Sequence, residues 1–160
     1  MTVQKQIATG TYALRSLLAI EALSLLTSIH HVDELGLTFL APAALAISLP
    51  LIFMWWFRQK RSNVARWFYG GFAVLMILGF GITDGFWNHT VKMIIFFLRG
   101  SERANMVGLP FPSVGSTFHE VTGVLTFVAT LFAAYFSYRF MAETRNLQDK
   151  SNEATPGTQP

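Results

Sequence analysis

The chain has 160 residues and no cysteine, and only 13% of its residues are charged against 52% that are hydrophobic. A soluble domain carries about 25% charged residues, so this composition indicates either an unusually apolar globule or a membrane protein. It excludes a disordered chain, which needs low hydrophobicity and high charge. It also excludes a disulfide framework and any thiolate metal site, and the length allows one domain.

Uncharged runs of membrane-spanning length divide the sequence. The longest run has 23 residues, and a bilayer core needs about 20 apolar residues in a helix. The predicted spans are about 12–31, 35–57, 66–84 and 119–140. Pro42 and Pro50 are compatible with the second span because neighbouring helices can satisfy the freed carbonyl groups. The predicted fold is therefore all-α, an integral membrane four-helix bundle formed by residues 1–141.

Two further segments lie outside these spans. Residues 89–99 are too short to cross a bilayer, and they are predicted either to extend the third helix or to lie on the membrane surface, followed by a loop. Residues 142–160 are polar and end in TPGTQP, which predicts a disordered cytoplasmic tail. The start of the chain lacks the pattern of a cleaved signal peptide, so the first span is expected to be retained.

The basic residues are distributed unevenly between the two predicted sides of the membrane. Nine of the twelve Lys and Arg residues fall on one side and three on the other. The positive-inside rule places the larger group in the cytoplasm, so both termini are expected there, in a protein of the plasma (inner) membrane. The net positive charge of the chain follows from this topology and does not indicate binding to nucleic acid. The expected partner is the lipid bilayer, with a homo-oligomer or a larger membrane complex as open alternatives.

All of the histidines fall near the outer ends of predicted spans, beside carboxylates. They are His30 and His31 at the end of the first span, His89 after the third, and His119 at the start of the fourth. Imidazole and carboxylate are ligands for zinc, iron, manganese and copper(II). Ionisable groups at membrane depth are costly and are therefore functional candidates. The alternative is that these residues only cap helices and make ordinary hydrogen bonds at the membrane surface.

Helical phase selects among these residues on the first span. His31 continues a polar stripe of Glu21, Ser24 and Ser28, whereas His30 continues an apolar side and is expected to face lipid or packing. The predicted metal ligands are His31, Asp84, His89, His119 and Glu120, with Glu34 in reserve.

The fourth span carries a second polar stripe, formed by His119, Thr122, Thr126 and Thr130. Lipid offers no hydrogen-bond partner, so this stripe is expected to face the interior of the bundle. On the third span, Asp84 lies in the polar sequence GITDGFWNHT. A carboxylate at this depth must be paired, metal-bound or protonated.

Glu21 is a carboxylate in the interior of the first predicted span. It lies about 9 Å along the helix from Arg15, at 1.5 Å per residue. One interpretation is a polar path that leads from Glu21 toward His31. The simpler interpretation is a buried acid that is hydrogen-bonded to another helix or paired with Arg15.

Three functions fit these features. The first is a metal-dependent membrane protein, either an enzyme or a metal-handling protein, with Glu120 or Glu34 as candidate general bases. The second is a b-type haem protein with His31 and His119, or His89 and His119, as axial ligands. The third is a non-catalytic subunit or assembly factor of a larger membrane complex. A protein powered by nucleotide hydrolysis is excluded because the sequence has no phosphate-binding glycine loop. Whether the protein is an enzyme, and on what substrate, is left open.

Overall fold

The computed structural model describes residues 3–99 and 117–153. Every described residue except Arg61 and Ser62 is helical, and no strand occurs in these ranges, which confirms the predicted all-helical class. The helices are α1 (Val3–Leu35), α2 (Leu40–Lys60), α3 (Asn63–Leu75), a π-helical segment (Met76–Val91), α4 (Lys92–Arg99) and α5 (Thr117–Glu153).

Three helical stretches are long and apolar enough to cross a membrane, namely Gly10–Lys60, Asn63–Arg99 and Thr117–Asn146. The first contains a 3₁₀ turn, Gly36–Phe39, between α1 and α2. Gly36 adopts a φ of 71° at this turn, a conformation that is readily available only to glycine. The two helices on either side of the turn pack against each other.

The relative direction of α1 and α5 follows from two pairs of side chains. Ser16 Oγ lies 3.0 Å from Ser137 Oγ, and His30 Nδ1 lies 3.0 Å from Thr122 Oγ1. The residue order therefore increases along one helix and decreases along the other, so the two helices are antiparallel. They make the most extensive helix–helix contact among the described elements.

The interior of the molecule is unusually polar, while its surface is apolar. Buried side chains include serines and threonines of α1 and α5, whereas Leu18 is 61% exposed and Phe132 is 57% exposed. Soluble monomers rarely expose large contiguous apolar patches. Apolar residues outside and hydrogen-bonding residues inside are the arrangement that a lipid environment favours.

Aromatic residues pack together at the level of Ser16, away from the histidines. Phe140 makes edge contacts with Phe57, at 5.3 Å between ring centroids, and with Tyr69, at 5.6 Å. Tyr69 is fully buried, and its hydroxyl lies 2.7 Å from Ser16 Oγ. This packing joins α1, α2, α3 and α5 in one core.

The start of the second helix differs from the predicted one. The second helix begins at Leu40, after the 3₁₀ turn, which puts Pro42 in the first turn where its missing N–H costs nothing. Helix α4 continues the π-helical segment directly, in agreement with the first of the two alternatives for this segment. The predicted loop beyond it lies outside the described residues from position 100.

The last helix extends into the segment that was predicted to be a disordered tail. Helix α5 continues to Glu153, so residues 142–153 are helical, and residues 154–160 lie outside the described part of the chain. The segment contains several good helix formers. It also directly follows a long helix, so no new nucleus has to form.

Candidate metal centre

Three helical elements bring their histidines to one end of the molecule. They are the C-terminal part of α1, the C-terminal part of the π-helical segment and the first turns of α5. Together they form a cluster, the histidine cluster, whose members are His30, His31, Asp84, His89, His119 and Glu120.

Asp84 lies at the centre of the histidine cluster. Its Oδ2 atom is 3.6 Å from Nε2 of His30 and 4.0 Å from Nε2 of His31. Its Oδ1 atom is 3.6 Å from Nε2 of His89 and accepts a hydrogen bond from the Asn88 amide at 3.2 Å. The two carboxylate oxygens therefore face different histidines.

The π-helical backbone accounts for the alignment of Asp84 with His89. A π-helix closes its hydrogen bonds between residues five apart. Two side-chain bonds have the same span, from Thr83 Oγ1 to the Leu78 carbonyl and from Thr90 Oγ1 to the Gly85 carbonyl. Positions 84 and 89 are also five apart and so come onto one face, which they would not share in an α-helix.

The hydrogen-bond network defines the tautomer of His30. The Thr122 hydroxyl donates its one proton to the carbonyl of Phe118 or of His119, at 2.9 and 3.0 Å. It must then accept from Nδ1–H of His30, which lies 3.0 Å away. This leaves the lone pair of His30 on Nε2, the atom that faces Asp84.

His31 is fixed in the same tautomer by the backbone of its own helix. Its Nδ1 donates to the Thr27 carbonyl at 3.0 Å, and a carbonyl can only accept. The lone pair of the neutral ring is therefore on Nε2, directed toward Asp84. Metal-binding histidines are usually held in this way, with the other ring nitrogen donating to a carbonyl or carboxylate.

His89 is oriented by Glu120. Its Nδ1 donates to Oε2 of Glu120 at 3.1 Å, and both side chains are buried. Close packing holds the ring in place, because a Cβ added at Gly123 would lie 2.1 Å from His89 Cγ. Glu120 therefore positions a histidine in this structure.

The convergence leaves two buried acceptors facing each other without a hydrogen bond. His30 Nε2 and Asp84 Oδ2 each expose less than 1 Å², and neither has a hydrogen-bond partner. An unsatisfied buried polar group costs about 1–3 kcal/mol, and more when it is charged. A lone pair that faces a carboxylate oxygen at this depth requires a cation or a proton between the two atoms.

Two groups of three side chains have the spacing that a metal ion needs. They are His30, His31 and Asp84, and His30, His89 and His119, and the ligand atoms of each group lie within 4.8 Å of one another. The ring of His119 stacks on that of His30 with centroids 3.9 Å apart. The described residues therefore contain a histidine cluster that can hold a metal ion.

His30 does not face lipid, which was one of its two expected environments, but is buried within the histidine cluster. His30 is 1% exposed and lies in both three-residue groups, while His31 is partly buried and lies in one. Helix α1 buries a broader sector than one polar stripe, since both Leu23 and Ser24 are completely buried. The sequence did offer a reason to include His30 among the predicted ligands. Two adjacent histidines both carry hydrogen-bonding ring nitrogens.

The remaining sequence candidates lie elsewhere. Glu34 is exposed and belongs to neither three-residue group. Glu21 lies nine positions before His30, and its Oε1 atom is buried without a hydrogen bond. Arg15 is exposed and its guanidinium lies over the rings of Tyr12 and Phe136, at 5.9 and 6.0 Å.

A cleft of about 200 Å³ lies beside Glu120. Its lining includes Met93, Phe96 and Val121, with Lys92 as its cation. The cleft is thus mostly apolar and reaches Glu120, the carboxylate of the histidine cluster that accepts a hydrogen bond from His89.

Comparison of the chain with protein-family models, with curated proteins and with solved structures gives no match. Function must therefore be inferred from the chemistry of the histidine cluster and its surroundings.

Proposed function

We propose that the protein is an integral membrane protein that crosses the bilayer four times and binds a transition metal ion at its extracytoplasmic face. The three long apolar stretches support the spans, since the first contains a turn between two helices that pack together. The distribution of basic residues, nine against three, supports cytoplasmic termini and a plasma-membrane location. On this assignment the histidine cluster lies at the outer end of the bundle.

The single observation that carries the metal assignment is the convergence of lone pairs on Asp84. Nε2 of His30 and Nε2 of His31 both face Oδ2 of Asp84, and neither Nε2 of His30 nor Oδ2 of Asp84 has a hydrogen-bond partner. Each ring is held by a partner on its other nitrogen. This combination of ligand atoms with outer hydrogen-bond partners is typical of protein metal sites.

The distances are also close to those of a metal site. Zinc binds nitrogen and oxygen at about 2.0–2.2 Å, so two ligands of a tetrahedral ion lie about 3.4 Å apart. The separations of 3.6 and 4.0 Å from Asp84 Oδ2 are slightly longer. Small rotations of the two imidazoles would bring their Nε2 atoms to bonding distance.

The ligand types limit which ion is bound. Two imidazoles and one carboxylate suit zinc, with a fourth position open to water or substrate. The same set suits non-haem iron(II). The chain has no cysteine, so copper(I), which prefers thiolates, is disfavoured. We therefore propose zinc or iron(II), with manganese or copper(II) as weaker alternatives.

A mostly apolar cleft that is lined by Glu120, the hydrogen-bond partner of His89, favours an enzyme over a metal-handling protein. A catalytic ion keeps one position for water or substrate, whereas a structural ion is fully enclosed by protein ligands. The cleft next to Glu120 is lined by Met93 and Phe96 and carries Lys92. These residues suit a lipophilic substrate with an anionic or polar group.

The haem alternative receives no support from the arrangement of the rings. His119 stacks face to face on His30 at 3.9 Å, which leaves no gap for a porphyrin between those two rings. His31, a proposed axial ligand, directs its Nε2 toward Asp84. A metal ion could bind these side chains close to their present orientations, whereas a haem would require the rings to separate.

The deciding experiment is metal analysis of the protein purified from membranes in mild detergent. We expect about one equivalent of zinc or iron per chain, and we expect a chelator to lower the thermal unfolding temperature. The double variant His30→Ala/His31→Ala should lose the metal. Asp33→Asn is the matched control, because Asp33 is an exposed carboxylate on the same helix.

The proposal fails if the protein binds no zinc, iron, manganese or copper after loading, and if chelator leaves its unfolding temperature unchanged. It also fails if the double histidine variant retains the metal of the wild type. A Soret band in the purified protein would instead establish the haem alternative.

A further inference from the structure

Helix α1 carries a series of buried polar atoms that have no hydrogen-bond partner. They are Glu21 Oε1, Ser24 Oγ, Thr27 Oγ1 and Ser28 Oγ. Buried polar atoms in proteins nearly always have at least one partner, either protein or ordered water. Four successive exceptions on one helix therefore need a common explanation.

The hydroxyl groups on the facing helix behave differently. On α5, Thr122, Thr126 and Thr130 all donate to carbonyls one turn earlier in the same helix. This bond to the preceding turn is the usual solution for a hydroxyl inside a helix. Ser24 and Thr27 do not use it, although α1 is equally regular there. Their hydroxyls are therefore available to groups outside the helix.

The series ends at the histidine cluster. His30 Nε2 and Asp84 Oδ2 continue it as buried atoms without hydrogen bonds. From Glu21 to His30 the series rises about 13 Å along the helix. Ser24, Thr27 and Ser28 are at most 5% exposed, so the polar atoms are shielded from lipid.

The other end of the series reaches a second polar group. Glu21 interacts electrostatically with Tyr69, whose hydroxyl lies 2.7 Å from Ser16 Oγ. Ser16 Oγ in turn lies 3.0 Å from Ser137 Oγ. From Ser16 to His30 the polar interior extends about 21 Å, which is most of the roughly 30 Å hydrocarbon thickness of a bilayer.

We propose that this interior holds a file of water molecules that conducts protons between Glu21 and the end of the bundle at the histidine cluster. The waters would satisfy the orphan atoms of α1. A proton that leaves the Glu21 carboxyl passes to the first water, and each water or hydroxyl hands a different proton to the next. Glu21 regains a proton from the side of Ser16 and Tyr69, so one proton enters for each that leaves and no electrons move.

This pathway goes beyond metal binding and does not depend on it. Glu21 is the proton-exchanging group, because a carboxylate inside a membrane needs a hydrated surrounding or a proton. Tyr69 is an ionisable side chain that interacts electrostatically with it. Ser24 and Ser28 are positioning residues that hold the waters.

The test is proton flux in phosphatidylcholine vesicles that contain the purified protein and a trapped pH-sensitive dye. A potassium gradient with valinomycin supplies the driving force. We expect wild-type flux well above that of protein-free vesicles. Glu21→Gln should reduce the flux at least tenfold, because an amide cannot release a proton. Ser24→Ala/Ser28→Ala should reduce it as well, because the waters lose two hydrogen-bond partners.

The control variant is Asp33→Asn, which changes an exposed carboxylate of the same helix and should leave the flux unchanged. Metal content, measured on each variant, separates this proposal from the metal assignment, since Glu21→Gln should keep the wild-type amount. Wild-type flux equal to that of empty vesicles overturns the pathway. Equal flux in Glu21→Gln and wild type also overturns it, whatever the metal content.

Discussion

Nε2 of His30 lies 3.6 Å from Oδ2 of Asp84, and both atoms are buried without a hydrogen bond. In the low dielectric of the interior two such acceptors repel each other more strongly than in water. The arrangement is stable only with positive charge between them. Under the proposed function, a metal ion would supply that charge and would at the same time use the lone pair that Thr122 leaves on Nε2 of His30.

Asp84→Asn should have opposite effects on the metal-loaded and the metal-free protein. The loaded protein loses its charged ligand, so we expect affinity to fall more than the roughly 10–100-fold typical of an outer hydrogen-bond partner. In the metal-free protein the new amide can donate to Nε2 of His30. A hydrogen bond worth about 1 kcal/mol then replaces a repulsion, and the unfolding temperature should rise.

Thermal unfolding in detergent, with metal and with chelator, measures both effects of this substitution. Asp33→Asn provides the comparison, since this exposed carboxylate lies outside both metal-binding groups. A drop in unfolding temperature in chelator as large as in metal would contradict the account of the two facing acceptors.

Thr122→Val should weaken metal binding about 10–100-fold, the usual effect of losing an outer hydrogen-bond partner of a ligand. The substitution preserves shape but removes the oxygen that accepts from Nδ1 of His30. The imidazole can then turn or place its proton on Nε2, where it blocks the metal. Competition with a chromogenic chelator gives the affinity.

Thr126→Val is the matched control for this substitution. Thr126 is also buried on α5, but its hydroxyl donates to the Thr122 carbonyl. We therefore expect Thr126→Val to leave metal affinity within about twofold of wild type. Equal losses of affinity in the two variants would assign the effect to packing and not to the tautomer of His30.

The sequence allows the helical fold and most of the cluster to be predicted, because both depend on where polar residues interrupt apolar runs. His119 and Thr122 were expected to face inward, and the contact of Thr122 with His30 agrees with this. The alignment of Asp84 with His89 could not be predicted, because it depends on a π-helical backbone. No residue preference in the sequence predicts such a backbone.

His30 was left out of the predicted ligands for a different reason. A single polar stripe was taken to define the buried face of α1, whereas packing against α2, the π-helical segment and α5 buries a wider sector. His30 lies within that sector, and the adjacent His31 reaches the same carboxylate from its edge. Tertiary contacts on several sides cannot be read from the periodicity of one helix.

Gly123→Ala should destabilise the protein and disturb the histidine cluster. The added Cβ would lie 2.1 Å from Cγ and 2.3 Å from Cδ2 of His89, so the ring or the helix must move. Overpacking of this kind costs about 1–3 kcal/mol, and metal affinity should fall because His89 shifts away from Asp84.

Gly79→Ala serves as the control, because a Cβ at Gly79 meets nothing within 4 Å. That substitution should be neutral or slightly stabilising, since alanine is favoured over glycine in helices. Unfolding temperatures of the two variants, in the presence of chelator, isolate the packing effect. Equal values would show that α5 and the π-helical segment are not closely packed at Gly123.

Single cysteines near the C-terminal ends of α1 and α2 should be labelled from opposite sides of the membrane. The chain has no native cysteine, so Asp33→Cys and Gln59→Cys each introduce one unique thiol at an exposed position. Helix α2 has 21 residues and is thus about 30 Å long, which matches the hydrocarbon thickness.

On intact cells an impermeant maleimide should label Asp33→Cys, near the histidine cluster, and should label Gln59→Cys only after permeabilisation. The unmodified chain gives the background. Labelling of both thiols from the same side would mean that the hairpin of α1 and α2 does not cross the bilayer twice. Labelling of Gln59→Cys alone on intact cells would reverse the orientation and place the histidine cluster at the cytoplasmic face.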